Sequence, residues 1–274
     1  MPFWLWPFDI KLVIIVKFLV IIQARCGSTR LPGKVMKPLA GKPAILRMVE
    51  RVKRSKLIDE IVVATTQEMN NLPLIAICAE NGIRIFVGSE DDVLDRYYQA
   101  ARLFNPEYVV RVTADCPCFD ATLLDEAIEE LEPEADYMSP HSYSLPDGLD
   151  FEIIRFSALR KTWKEAHLAS EREHVTPFIY NNPERFNCQN YVSKIGDHGD
   201  ERWTVDEPED YKLVSLIYDY FVENGADATF TYEEVLGYLD ANPDLRRINA
   251  QFARNEGYAK SLREDHLVTP DVDE

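Results

Sequence analysis

Along the first 130 residues, short apolar runs rich in Val and Ile alternate with longer stretches whose apolar positions recur at helical spacing. FLVIIQ (18–23), EIVVAT (60–65), IRIFVG (83–88) and YVVRVT (108–113) lack strict polar alternation, the pattern of strands buried on both faces of a parallel sheet. Between them, AILRMVERVKRS (44–55), LPLIAICAENG (72–82) and DVLDRYYQAARLF (92–104) predict helices, the second closing at Gly82. The order βαβαβαβ predicts an α/β fold with a doubly wound sheet and helices on both faces.

The second half is less regular. ATLLDEAIEELE (121–132) predicts a helix and ADYMS (135–139) a strand, while HSYSLPDGLDFEIIRF (141–156) reads as an irregular loop running into a strand. Helices are expected near 157–167 and 171–181, and a strand at RFNCQNYVS (185–193). ERWTVDEPEDYKLVSLIYDYF (201–221) reads as a short strand, a turn and a helix with Pro208 in its first position. From about Glu223 the chain looks helical and peripheral, ending in a frayed VTPDVDE. No repeat or linker divides the sequence, so the expected organisation is an extension at 1–16, one main domain at 17–222, and a helical segment with tail at 223–274.

The N-terminal MPFWLWPFDIKLVIIVKFLVII is apolar enough to resemble an anchor, but Asp9, Lys11 and Lys17 interrupt it and no small-residue cleavage site follows. KFLVII is also needed as the first strand, so no membrane association is expected. Residues 1–15 then form an extension outside the main architecture; a native protein whose mass begins at Met1 would refute an origin in an upstream start.

Composition narrows the ligand. The 274 residues carry 47 Asp and Glu against 30 Lys and Arg, a net charge of −17 that opposes binding to nucleic acid or anionic lipid. Yet Ile10 to Val49 holds eight Lys and Arg and no acid. A local cationic segment on an acidic protein suggests a small, densely anionic ligand. The five cysteines form no CxxC pair and fit reduced thiols in a cytoplasmic protein; the CxC of Cys116 and Cys118 is a poor zinc pattern.

The cations concentrate in QARCGSTRLPGK (23–34), directly after the first strand, where open α/β sheets commonly hold a phosphate. Gly27 and Gly33 allow the backbone close to a ligand, and Arg25, Arg30 and Lys34 can neutralise a polyphosphate. The loop is neither a Walker A sequence nor GxGxxG. A second element, RVTADCP (111–117), projects Asp115 past a strand end, where Mg²⁺ could sit between protein and phosphates. Asp115 lies too far upstream to cap the helix starting near Asp120. A third, WTVDEPEDY (203–211), brings Asp206 and Glu207 to a helix start, where they could also act simply on the helix dipole. In GSEDDVLDRYYQA (88–100), Ser89 and Asp92 fit a capping-box spacing.

The loop, TADCP and DEPED together resemble the signatures of the cytidylyltransferases that make CMP-activated acidic sugars, the acylneuraminate and deoxy-manno-octulosonate enzymes, and most of all their spore-coat polysaccharide relatives. The resemblance runs from about Lys17 to Phe221. It implies a Rossmann-like nucleotidyltransferase fold and Mg²⁺-dependent transfer of CMP from CTP to a sugar acid or phosphorylated acceptor, with pyrophosphate released for surface polysaccharide synthesis. It further implies a nucleotide site at Ala24, Arg25, Gly27, Ser28, Arg30, Lys34, Ser89 and Arg96, a metal site at Asp115 and Asp206, and catalytic roles for Arg25, Lys34 and Asp115. LPDGLDFE (145–152) and SEREHVTPFIY (170–180) also look like spore-coat blocks, making Asp150, Glu152, Arg172 and His174 candidates for acceptor binding. Asp147, Asp150 and Glu152 would repel a carboxylate unless Arg155 or Arg172 faces it, so amino- or hydroxyl-rich sugars stay open. Related enzymes commonly dimerise, though no interface stripe shows it here. Competing readings are a glycosyltransferase of similar fold, which leaves a three-cation first loop unexplained, and a non-catalytic nucleotide-binding protein, against which intact Lys34, Asp115 and Asp206 argue.

Overall fold

In the computed structural model, β1 (Phe18–Gln23) lies inside the sheet because both of its faces are apolar: Leu19, Val20, Ile21 and Ile22 have no exposed surface. The structure describes residues 16–140, 144–194, 196–227, 229–254 and 256–269. The proposed extension at 1–15 therefore lies outside the described residues, as do 141–143 of the irregular loop and the end of the tail.

After β1 come a small hairpin of β2 (Pro38–Leu39) and β3 (Lys42–Pro43), α1 (Ala44–Val52), β4 (Glu60–Thr66), α2 (Leu72–Glu80), β5 (Arg84–Gly88), α3 (Val93–Arg102) and β6 (Tyr108–Thr113). The second half contains α4 (Ala121–Glu130), β7 (Tyr137–Pro140), β8 (Glu152–Arg155), α5 (Phe156–Glu165), α6 (Ala169–His174), α7 (Pro177–Tyr180), β9 (Cys188–Tyr191), α8 (Pro208–Glu223), α9 (Tyr232–Ala241) and α10 (Glu256–Arg263). The main sheet has seven strands in the order β5-β4-β1-β6-β8-β7-β9. It is mostly parallel, with β8 running antiparallel to both β6 and β7.

Successive β1 residues feed two cores. Val20 and Ile22 pack with Ile45, Met48, Leu124 and Ile217 on one face; Leu19 and Ile21 pack with Leu94, Tyr97, Leu159 and Trp163 on the other. Helices therefore cover both faces, which is why the strands carry no polar alternation.

Several expectations change. The helix expected over 171–181 is two helices, because Val175 adopts φ 72° and Pro177 has no N–H to continue the ladder. The expected strand near 201 reduces to a single bridge between Asp147 and Arg202. The cap of α3 is Asp92, which accepts the Asp95 N–H at 2.8 Å, while the Ser89 hydroxyl serves the preceding turn by accepting the Asp92 N–H at 3.1 Å. The capping-box spacing from Ser89 thus starts one turn early. The C-terminal segment is not peripheral: Phe230, Val235 and Leu239 are buried in the main core, and the Arg51 guanidinium lies 4.0 Å from the centre of the Phe230 ring. No described helix is long and apolar enough to cross a membrane.

Candidate active site

Strands β1 and β6 pair in parallel from Phe18↔Tyr108 to Gln23↔Thr113, so the loops that follow open at the same sheet edge. The first loop is tied down before it turns. The Ala24 N–H donates to Ala64 O at 3.0 Å, and the Cys26 N–H donates to Asn71 Oδ1 at 2.7 Å. Asn71 is fixed in turn by its Nδ2 donating to Thr66 Oγ1 at 2.7 Å. Gly33 takes a left-handed φ of 66° and returns its N–H to Cys26 O at 3.1 Å, which folds Lys34 back over the strand ends.

A cleft of about 310 Å³ lies between these loops, and Ala24, Arg25, Gly27, Ser28, Arg30 and Lys34 all line it, with Thr113, Asp115 and Asp206 opposite. Lys34 Nζ sits 2.9 Å from Asp115 Oδ2 and 2.6 Å from Asp206 Oδ1, joining three loops at one point. Arg30 spans Asp206 Oδ2 at 2.9 Å and Glu207 Oε1 at 3.0 Å. Arg25 stays exposed, 3.6 Å from Glu90. Burial disfavours the Lys34 charge, but Asp115 and Asp206 overcome it and hold the ammonium above its ordinary pKa. Burial likewise works against the Asp115 charge, yet Lys34 and the Thr113 hydroxyl draw its pKa down to about 2. Cys116, beside it, is pushed well up by burial and by the Asp115 charge, so it remains a thiol.

Asp115 and Asp206 converge on a single cation position, now held by an ammonium, and offer only hard carboxylate oxygens. That donor set fits a divalent ion such as Mg²⁺, which takes one or two carboxylates and completes its shell from phosphates and water. No group of three or more His, Cys, Asp or Glu able to hold a metal occurs among the described residues, so an all-protein cage is absent there.

The remaining candidates divide. Arg96 is buried, donates to the Ser89 carbonyl, and packs on Gly88, where an added Cβ would lie 3.0 Å from Arg96 Cγ. Burial lowers its pKa, with the nearby Arg25 charge contributing, and Arg96 is not among the residues that line the cleft. Glu152 is a hub: it pairs with Arg111 and accepts from Tyr137 and from Thr176. Asp150 pairs with Arg254, which also donates to Leu145 O at 2.8 Å. His174 bonds Ser261 at 3.0 Å and meets the Tyr258 ring edge-on. Burial lowers the His174 pKa.

Arg172 is placed differently from a ligand-facing group. Its side chain is 4% exposed, bonds Asp92 Oδ2 at 2.6 Å, and donates to the carbonyls of Trp163 and Ala166. Arg155, the other cation considered for an acceptor carboxylate, sits at the far end of β8 opposite Tyr108 and donates to the Ala135 and Pro133 carbonyls.

Sequence reasoning overlooked Asn71, Arg202 and Asp210 as parts of the site and gave Glu207 only a place on the helix dipole. Asp210 carried a signal: an acid three residues after Glu207, across Pro208, marks a helix start. Asn71 and Arg202 gave no signal because the contacts that tie them to the site are distant in sequence, Cys26 for Asn71, and Asp147 and Asn249 for Arg202. A depression of about 250 Å³ at the opposite edge of the sheet holds Glu60 paired with Arg84, and Asp59 accepting from the N–H groups of Lys17 and Phe18.

Compared with known proteins, residues 19–222 match the family model described as cytidylyltransferase. The chain is 36% identical over 248 residues to an uncharacterized protein of Methanocaldococcus jannaschii, covering 88% of this chain and 98% of that one. It is 33% identical over 244 residues to the spore coat polysaccharide biosynthesis protein SpsF of Bacillus subtilis, covering 82% and 95%. A solved cytidylyltransferase from Leptospira borgpetersenii superposes with a TM-score of 0.80 at 32% identity, covering 87% of this chain and 100% of that one.

Proposed function

This chain belongs to the cytidylyltransferase family and is a nucleotidyltransferase by fold and family, and on that premise we propose that it transfers CMP from CTP to a sugar acid or related acceptor for surface polysaccharide synthesis. An acceptor oxygen attacks the α-phosphorus in line; the new P–O bond forms as the bond to the β-phosphate oxygen breaks, and pyrophosphate leaves with that electron pair. The supporting observation is the convergence of Lys34 and Arg30 on Asp115 and Asp206 at the ends of β1 and β6.

Each group has a task that its position suits. Ala24 and Gly27 leave room at the backbone, and Ser28 lines the same wall. Arg25, Arg30 and Lys34 bind the triphosphate and stabilise the charge that accumulates on pyrophosphate, an effect strongest in a preorganised site. Asp115 and Asp206 would hold the Mg²⁺, which when bound lowers repulsion between phosphate and nucleophile. Ser89 and Arg96 shape the nucleotide side, Arg96 by fixing the Ser89 carbonyl. Asp150, Glu152 and His174 line the acceptor side, and Arg172 supports it from beneath α3.

Within that range of acceptors, the site suits a related neutral or amino-bearing sugar better than a sugar acid. Arg155 and Arg172 are committed elsewhere, while Arg111, Arg202 and Arg254 are each matched by an acid. Burial and the neighbouring Asp150 charge raise the Asp147 pKa to about 6. An added carboxylate would enter this acidic field at a cost. Cytoplasmic action is supported by five cysteines that form no disulfide.

The test is pyrophosphate release with Mg²⁺, offering CTP, UTP, GTP and ATP against sugar acids, neutral sugars, amino sugars and sugar phosphates. Release that requires CTP and one acceptor is expected. Glycoside formation from a nucleotide sugar without pyrophosphate release, or no release with any pair, would overturn the assignment.

A further inference from the structure

Asp206 does not hold its own position. Its N–H donates to Asp210 Oδ2 at 3.1 Å, and the Glu207 N–H donates to the same oxygen at 3.0 Å. Asp210 is fully buried, so its orientation decides where the Asp206 backbone sits. That orientation is set by a fork: Arg202 Nε and Nη2 bond Asp210 Oδ1 and Oδ2, each at 2.9 Å. The remaining arm of the guanidinium, Nη1, bonds Asp147 Oδ2 at 2.7 Å, and Nη2 lies 3.9 Å from Asp206 Oδ2. Asn249 closes the unit, its Nδ2 donating to Asp210 Oδ1 at 2.8 Å and to Arg202 O at 3.0 Å.

The strand-like segment carrying Arg202 is also sewn to the other acidic motif. The Val205 N–H donates to Asp115 O at 2.7 Å, and Thr204 Oγ1 donates to the same carbonyl at 3.2 Å. On its other side the Trp203 N–H donates to Asp147 O at 2.6 Å. One guanidinium therefore sits among Asp147, Asp206 and Asp210, whose mutual repulsion would otherwise open the loop.

We propose that Arg202 is a positioning residue that acts through Asp210 to hold Asp206 facing Asp115 and Lys34. It touches neither nucleotide nor acceptor in this assignment. A planar fork is required, because two parallel bonds fix the carboxylate plane that receives the Asp206 and Glu207 N–H groups; a Lys at this position supplies charge without that plane. Misplacing a reacting group by about 1 Å costs on the order of 10²-fold in rate.

The inference rests on the proposed transferase function, and its test separates the two. Turnover and Mg²⁺-dependent CTP binding are measured for the wild type, Arg202→Met, Arg202→Lys, Asp206→Glu and the double variant Arg202→Met/Asp206→Glu, with a melting curve for each. Arg202→Met is expected to lower kcat by about 10- to 100-fold with a much smaller change in KM for CTP. Arg202→Lys should recover less than half of that loss. In the Asp206→Glu background the Arg202 substitution should add less than about a 3-fold further loss, since both act at one point. Multiplied losses in the double variant, or full recovery by Lys, overturn the proposal. If Arg202→Met fails to fold, Asp210→Asn replaces it in the same cycle with the same criteria. A wild type that binds CTP with Mg²⁺ but releases no pyrophosphate removes the transferase assignment alone. Positioning is then decided by whether Arg202→Met loses the Mg²⁺-dependent part of that binding: loss supports it, and unchanged binding refutes it. A wild type that binds no nucleotide overturns both.

Discussion

Lys34→Met removes the ammonium between Asp115 and Asp206 while keeping most of the stem that packs in the loop. Asp115 is held at about 2 against an ordinary 3.8; burial opposes this, and Lys34 leads the interactions that overcome it. At about 1.4 kcal/mol per tenfold in acid constant, that difference stabilises the folded state by about 2 kcal/mol when Asp115 is charged. Removing Lys34 forfeits most of this and leaves two carboxylates facing each other, so the variant should lose about 2–3 kcal/mol at pH 7. The sign with pH follows from the direction of each shift. A carboxyl with a depressed folded pKa contributes fully above 3.8 and loses its contribution as pH falls toward about 2. Lys34, raised above its ordinary 10.5, contributes fully below that value and loses its contribution only as strongly alkaline pH passes its folded pKa. The gap between wild type and variant should therefore be constant from pH 5 to 9 and shrink toward pH 3. Urea unfolding at pH 7, 5 and 3 measures it. The variant should also gain more thermal stability from Mg²⁺ without nucleotide than the wild type does, because its carboxylates are no longer compensated. A variant as stable as wild type at pH 7, or a gap that persists undiminished at pH 3, would show that the three groups do not form a coupled site.

Three other substitutions probe the rest of the frame. Asp115→Asn should reduce pyrophosphate release by at least about 10²-fold while the circular dichroism spectrum stays native, because it removes a charge without changing volume; wild-type turnover would take Asp115 out of the mechanism. Arg172→Ala should destabilise the fold by about 3 kcal/mol in urea titration, since it strands Asp92 and two carbonyls in a buried setting, with KM for CTP nearly unchanged; a selective rise in acceptor KM at full stability would instead restore Arg172 to ligand contact. Gly148→Ala should lower the melting temperature and kcat together, because Gly148 has φ 110° and its new Cβ would lie 2.5 Å from Thr204 N; an unperturbed variant would mean that the 147–148 loop does not brace the segment leading to Asp206.

How much of this was legible depended on whether a residue's partner lay nearby in sequence. β1, β4, β5 and β6 announced themselves because a strand buried on both faces must be apolar at successive positions. Lys34, Asp115 and Asp206 were legible because each follows a strand end or opens a helix, places where an α/β sheet exposes functional groups. The β2–β3 hairpin was not, since two-residue strands have no periodicity; only the turn at Ala40 and Gly41, both at positive φ, gives it shape. The insertion of β8 between β6 and β7 was equally hidden, because its antiparallel pairing is a tertiary choice. Arg172 illustrates the opposite failure: a charged residue in a polar motif suggested a ligand, yet its charge is spent on Asp92 and on carbonyls that close α5 and its following turn. Arg202 looked ordinary because Asp147 and Asn249 reach it from 55 and 47 residues away, and nothing local shows that Asp210, in the first turn of α8, turns back to it.

The clasp at Asn249 also bears on how the enzyme comes into being on the ribosome. A chain synthesised from its N-terminus has its first sheet strands and the Lys34 loop available early, at about 5–20 residues per second. The carboxylate anchor for Asp206, however, lacks its last hydrogen-bond donor until residue 249 emerges, and Asp150 lacks its arginine until residue 254. Nascent chains should therefore collapse around the Rossmann-like half well before they acquire a competent cleft. A polypeptide released at residue 222, although it contains every residue proposed to touch nucleotide or metal, should be a folded-looking but inactive fragment.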